Sequence, residues 1–110
     1  PKREVCPIPR LDFAKMKQLD FEAPDFRKFP CLALALEAGR SGGTSPCALS
    51  AANETAVHAF LGGKILFTDI ARIVERVINR HKRIADPDLA EILETDQWAR
   101  KEAEKVISTI

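Results

Sequence analysis

The chain has 110 residues, 45% of them hydrophobic and 30% charged, with a formal net charge of +1. That balance fits one soluble domain with a single modest core, and excludes a two-domain enzyme carrying its own dinucleotide fold, which alone would take most of this length. It also excludes a disordered chain, a dedicated nucleic-acid binder rich in Lys and Arg, and, with no apolar run near about 20 residues, a membrane-spanning helix.

From Pro1 onward no charged segment is followed by an apolar run, so a retained signal peptide is not expected. Residues 1–29 hold Pro1, Pro7, Pro9 and Pro24 and show no long helical period. Val5-Cys-Pro-Ile-Pro reads as extended, because each proline fixes its own φ and biases its predecessor toward β or polyproline geometry. The triplet Leu-Asp-Phe occurs at Leu11–Phe13 and again at Leu19–Phe21. Each sets two large apolar side chains on one face around an Asp, as a short strand does. An arm of this kind is expected to lie across a surface, either that of its own bundle or that of a neighbour.

After Pro30 the pattern becomes helical. Cys31-Leu-Ala-Leu-Ala-Leu-Glu-Ala-Gly39 alternates like a strand, but Ala and Leu are the best helix formers and no β-branched residue interrupts them. Pro30 suits a first helical position and Gly39 a left-handed cap, and a helix apolar all round is expected to be central. Arg40-Ser-Gly-Gly-Thr-Ser45 then links to a second helix, started by Ser45-Pro46 and running to about Leu61, with a stripe of Leu49, Ala52, Ala56 and Phe60. Gly62-Gly63 stops it. Thr68 is expected to cap a third helix whose stripe is Ile70, Ile73, Val74, Val77 and Ile78, opposite Arg72, Glu75, Arg76 and Arg80. Asp86-Pro87 restarts the chain as a short turn bearing Leu89, Ile92 and Leu93. Thr95-Asp96 is expected to cap a last helix carrying Ala99, Ala103, Val106 and Ile107. The expected fold class is therefore all-α: an extended arm over residues 1–29, then a bundle of about four helices over residues 30–110.

Few residues here suit catalysis. His58 and His81 fall on different expected helices, and both read as structural or helix-end residues, His81 at a C-terminus where a cation is favoured. Cys6, Cys31 and Cys47 form no CxxC pair and read as buried, reduced and inert, which points to the cytoplasm. The Gly-Gly linker lacks the Gly-Lys-Ser/Thr ending of a phosphate loop and follows a helix, so it reads as a helix stop and a helix start. Asn53-Glu54-Thr55 matches a glycosylation acceptor but falls mid-helix. Asn53, four residues from both Leu49 and Val57, is expected to pin a loop or a neighbouring helix through backbone hydrogen bonds. The basic Arg80-His-Lys-Arg83 is followed by Asp86, Asp88, Glu91, Glu94 and Asp96, which cancel it. No acidic set stands out as a metal site. On residues alone the chain is a helical domain without an active site of its own.

Longer strings say more. Leu19-Asp-Phe-Glu-Ala-Pro-Asp-Phe26, Arg27-Lys-Phe-Pro-Cys-Leu32, Ala48-Leu-Ser-Ala-Ala-Asn-Glu54 with Phe60-Leu61, and Phe67-Thr-Asp-Ile70 occur in that order. Together they resemble the C-terminal part of the 1-deoxy-D-xylulose 5-phosphate reductoisomerase family, over nearly the whole chain. The resemblance implies an enzyme of non-mevalonate isoprenoid biosynthesis that rearranges 1-deoxy-D-xylulose 5-phosphate and reduces the intermediate aldehyde with NADPH. The product is 2-C-methyl-D-erythritol 4-phosphate, and a divalent metal (Mg, Mn or Co) polarises the substrate carbonyl. It further implies a V-shaped homodimer whose subunits each have an NADPH-binding domain, a central catalytic and dimerising domain, and this linker with its bundle.

The family's metal-binding Asp and two Glu, its phosphate-binding Ser and Asn-Lys pair, and its lid His and Trp belong to the central domain, and none of those motifs occurs here. Trp98 lies in the expected last helix and reads as a packing residue, not the lid Trp. The resemblance thus assigns this chain no catalytic, metal or cofactor residue: NADPH and metal belong to the full-length enzyme, and this piece alone is expected to be inactive. Its expected partners are the remaining domains of the same enzyme. The rival readings are a stand-alone helical interaction module that grips a partner with its arm, and a small independent enzyme, which the missing site chemistry disfavours.

Overall fold

A computed structural model describes residues 7–110, and the expectations for Pro1, Val5 and Cys6 lie outside the described residues. Its helices are α1 (Phe13–Met16), α2 (Pro30–Ser41), α3 (Ser45–Leu61), α4 (Phe67–Arg80) and α5 (Leu89–Ile107), with no strand among the described residues. The fold class is all-α, as the composition and periodicity require.

The bundle is built around α3, which packs on α2, α4 and α5. Its buried residues are almost all alanines: Ala48, Ala51, Ala52, Ala56 and Ala59. Side chains this small let three helices approach one axis closely. The bulk comes from the partners, with Ile70, Ile73, Val74 and Val77 from α4 and Ala99, Ala103 and Val106 from α5. Burying each of the large aliphatic residues contributes about 1.5–3 kcal/mol. The expected α4 stripe is thus the face that fills the core.

Several expectations are corrected. The central helix is α3 and not α2, which buries only Ala38 fully. The apolar run of α2 was too even to define an inner face, whereas the alanines of α3 allow contact on three sides. Gly39 does not end α2. The helix runs through it to Ser41, and Gly42 at φ +65° closes it with its N–H donating to the Ala38 carbonyl at 3.0 Å. The α4 cap is not Thr68: the Asp69 carboxylate reaches back to accept from the Leu66 N–H at 2.9 Å, so the helix starts at Phe67. Nor do Thr95 and Asp96 start the last helix. Asp88 accepts from the Glu91 N–H at 2.8 Å while Glu91 accepts from the Asp88 N–H at 2.9 Å, a reciprocal cap that makes Leu89–Ile107 one helix. Thr95 is buried inside it.

The Leu-Asp-Phe triplets are not strands. Asp12 accepts from the Ala14 N–H at 3.1 Å and starts the single turn α1, which Lys17 ends at φ +60°. Leu19–Phe21 is irregular and pairs with no strand among the described residues. Every residue from Pro7 to Pro30 is exposed, and α1 packs on no other helix, so this segment does not lie across its own bundle.

Candidate functional site

A fully buried polar group, Thr44, lies where α2 hands over to α3 and α4 leads toward α5. Gly43, at φ +58°, brings its backbone so close to Ile84 that a Cβ built there would stand 2.0 Å from the Ile84 carbonyl oxygen. Only glycine meets both demands. The approach lets Thr44 N–H donate to that same carbonyl at 3.0 Å, while the Ile84 N–H donates to Thr44 Oγ1 at 3.0 Å. Thr44 Oγ1 also lies 2.9 Å from His81 Nε2. While it accepts from Ile84 the hydroxyl can also donate to Nε2 of the neutral ring, in the tautomer with its proton on Nδ1. Burial pushes the His81 pKa down. The ring packs on Trp98 with centroids 5.4 Å apart. A cavity of about 390 Å³ opens beside it, lined by Arg80, Lys82, Glu91 and Glu94 among others.

The hydrogen bonds of this corner tie backbone and side chains of the helix junction to one another. His81 Nε2 is occupied by a threonine hydroxyl that is itself fully buried, and no carboxylate orients Nδ1 among the described hydrogen bonds. The Gly-Gly linker is therefore a helix junction, as its residues imply. His81, expected at a helix end, is the C-cap residue of α4, and Trp98 is a packing residue.

The second polar cluster joins α3 to α5. Arg100 donates to Asp96 at 2.8 Å and to Glu54 at 2.6 Å, and these carboxylates raise its pKa further. A third joins α4 to α5: Glu102, buried, accepts from Arg80 and from Lys105, and both cations pull its pKa down. The basic cluster at the end of α4 is thus neutralised differently from the expectation. Arg80 pairs with Glu102 rather than with the acidic run, and Arg83 donates to the Ser41 carbonyl at 2.9 Å. These are charge pairs that lock helices together.

The remaining expected residues stay apart. His58 is exposed, on a wide cavity of about 700 Å³ that also has Lys64 and Arg100 in its wall. Asn53 is half-buried and makes no side-chain hydrogen bond among the described residues, so it pins nothing; Thr44 performs that role instead. A hydroxyl in a Gly-Gly-Thr linker gave no signal apart from its position just before a helix. Mid-helix Thr55 donates to the Ala51 carbonyl at 2.9 Å. Cys31 and Cys47 are half-buried free thiols whose pKa values burial raises, which keeps them protonated and weakly nucleophilic. No group of three or more His, Cys, Asp or Glu side chains comes together to hold a metal ion among the described residues, so they do not fit one. Those residues also lack the strand and glycine turn that cradle a dinucleotide.

The profile of the DXP reductoisomerase C-terminal domain family matches residues 1–102. A 1-deoxy-D-xylulose 5-phosphate reductoisomerase of Desulforamulus reducens is 51% identical over 107 residues, which cover 97% of this chain and 28% of that protein. Among solved structures, the Zymomonas mobilis reductoisomerase in complex with NADPH is 45% identical, with a TM-score of 0.85 over 100% of this chain and 29% of its own. A DOX-P reductoisomerase in complex with magnesium is 38% identical, with a TM-score of 0.82 over 99% of this chain and 30% of its own. The chain therefore spans less than a third of the relatives it matches, and over that span it belongs to the C-terminal domain family of the DXP reductoisomerases.

Proposed function

We propose that this domain serves as the non-catalytic base of a full-length 1-deoxy-D-xylulose 5-phosphate reductoisomerase. The carrying observation is the likeness over the entire chain to a single region of one enzyme family, in sequence and in fold. In that enzyme NADPH supplies the hydride and a divalent metal polarises the substrate carbonyl, with 2-C-methyl-D-erythritol 4-phosphate as product. Two structurally similar reductoisomerases were solved in complex with NADPH and with magnesium, which supports both assignments.

Residues 30–110 act as one supporting domain and residues 1–29 as its linking arm. Neither supplies a catalytic, metal or cofactor residue. Homodimerisation and a place in the cytoplasm come with the family reading, and no described helix is long and apolar enough to cross a membrane. The chemistry of the bundle suits a base. Two ion pairs, Arg80 with Glu102 and Arg100 with Glu54, join separate helices, and the core packs alanines of α3 against larger aliphatic side chains of α4. Rigidity matters because misplacing reacting groups by about 1 Å can lower a rate about 100-fold.

The test is an assay of the full-length enzyme for NADPH oxidation on 1-deoxy-D-xylulose 5-phosphate, with the product identified. Activity is expected, and it should be lost when residues 30–110 are deleted. No turnover by the intact enzyme, or full turnover by the truncated one, overturns the reading.

A further inference from the structure

The outer side of α2 is apolar and its own bundle leaves it uncovered. Cys31, Leu34 and Ala38 face the core. Phe29, Leu32 and Leu36 follow one another at spacings of 3 and 4 and stay 60%, 40% and 43% exposed. A helix apolar on both sides belongs between two packed surfaces, and this one has only the inner surface. Phe29 also lines, with Phe67 and Ile70, a cavity of about 260 Å³ whose rim carries Arg27 and Lys28. Stripe and cavity share Phe29 and form one seam.

Two observations identify what covers the seam. In the relatives, this domain is the C-terminal one and most of the polypeptide lies elsewhere in the same protein. The exposed arm runs directly into Phe29, so polypeptide attached to the arm is held beside α2 at high effective concentration. The two cations on the rim set the sign of the contact. We propose that the stripe of Phe29, Leu32 and Leu36, with the adjoining cavity, docks an apolar, acid-edged surface of the preceding polypeptide of the same protein. The proposal rests on the reading of this chain as one domain of a longer enzyme.

Hydroxyl-radical footprinting of the full-length enzyme, native and unfolded, tests it. Side chains at Phe29, Leu32 and Leu36 are expected to oxidise about fivefold or more slowly in the native protein, as core residues do. Equal rates in the two states overturn the proposal. In parallel, the Leu36→Cys enzyme is kept under oxidising conditions. The expected result is no disulfide between copies; a high yield of such a disulfide assigns the seam to a second copy and overturns the proposal. The double change Arg27→Glu with Lys28→Glu is expected to raise oxidation of Phe29 about threefold, because like charges then face one another. Unchanged oxidation refutes the acidic edge. Absence of reductoisomerase activity in the same preparation would count against the enzyme reading and leave the footprint result standing, so the two failures are distinguishable.

Discussion

Thr44 is the residue on which the junction of α2, α3 and α4 turns. It is fully buried, and its hydroxyl joins the Ile84 N–H to His81 Nε2, two groups about 40 positions away in sequence. Thr44→Val keeps the shape and removes both bonds. The orphaned N–H and ring nitrogen should lower stability by about 1–3 kcal/mol in denaturant unfolding, and Thr44→Ser should recover most of the loss. Gly43→Ala is a harsher change than Gly42→Ala. Both positions have positive φ, which costs a non-glycine residue about 1–2 kcal/mol, but open space surrounds Gly42 whereas a Cβ at Gly43 meets the Ile84 carbonyl. Melting temperatures of the two variants should therefore differ, with Gly43→Ala clearly lower. The same junction gives a pH dependence. Burial lowers the folded pKa of His81, so the unfolded chain takes up a proton first as pH falls. Its contribution is complete above about pH 6.5, the ordinary histidine value, and is lost as pH drops through the folded pKa. His81→Gln should flatten the stability curve in that window. Glu102, whose pKa is lowered by Arg80 and Lys105, loses its contribution only at lower pH, below the ordinary carboxylate value of about 4.3.

At the scale of elements, the reciprocal cap of Asp88 and Glu91 decides where α5 begins. Asp88→Ala should cost about 0.5–2 kcal/mol through the lost cap, measured by chemical denaturation. Asp96→Ala removes no cap and loses an exposed pair with Arg100, so about 0–1 kcal/mol is expected. The comparison shows what the sequence left open. Asp88-x-x-Glu91 was a complete capping signal, but the proline at 87 and the Thr95-Asp96 pair drew the start of the helix seven residues too late. The strong 3.6-residue stripe of α4 was legible because large aliphatic residues alternate with charges. Its partner α3 was harder, since alanine carries little hydrophobic contrast and its contacts on three sides blur any stripe. The misplacement of α2 has the same origin: a uniformly apolar helix says that it is covered and not by what. In the arm, Leu-Asp-Phe carried a two-residue alternation, yet strands need a ladder partner and Asp12 found a helical turn instead. The hydrogen bonds of Thr44 depend on Ile84, 40 positions on, and could not be read locally.

The whole molecule has a Cα radius of gyration of 18.1 Å, against about 13 Å for a compact chain of this length. The excess comes from an arm that stands clear of the bundle with Leu11, Phe13, Leu19 and Phe21 exposed. Large apolar side chains left exposed along an arm suit contact with other polypeptide, and a supporting domain acts on a reaction through position rather than through proton transfer. That distinction can be measured in the full-length enzyme. Ile73→Ala empties part of the core where α3, α4 and α5 meet and should cost about 2–5 kcal/mol, seen as a lower melting temperature. Where enough enzyme remains folded, any fall in kcat should leave the inflections of the pH–rate profile in place, because no titrating group has been changed. His58→Gln and Cys47→Ala remove titratable groups with little effect on packing, and should leave both kcat and that profile as they were. A shifted inflection in either variant would move a reacting group onto this chain and end its reading as a supporting domain.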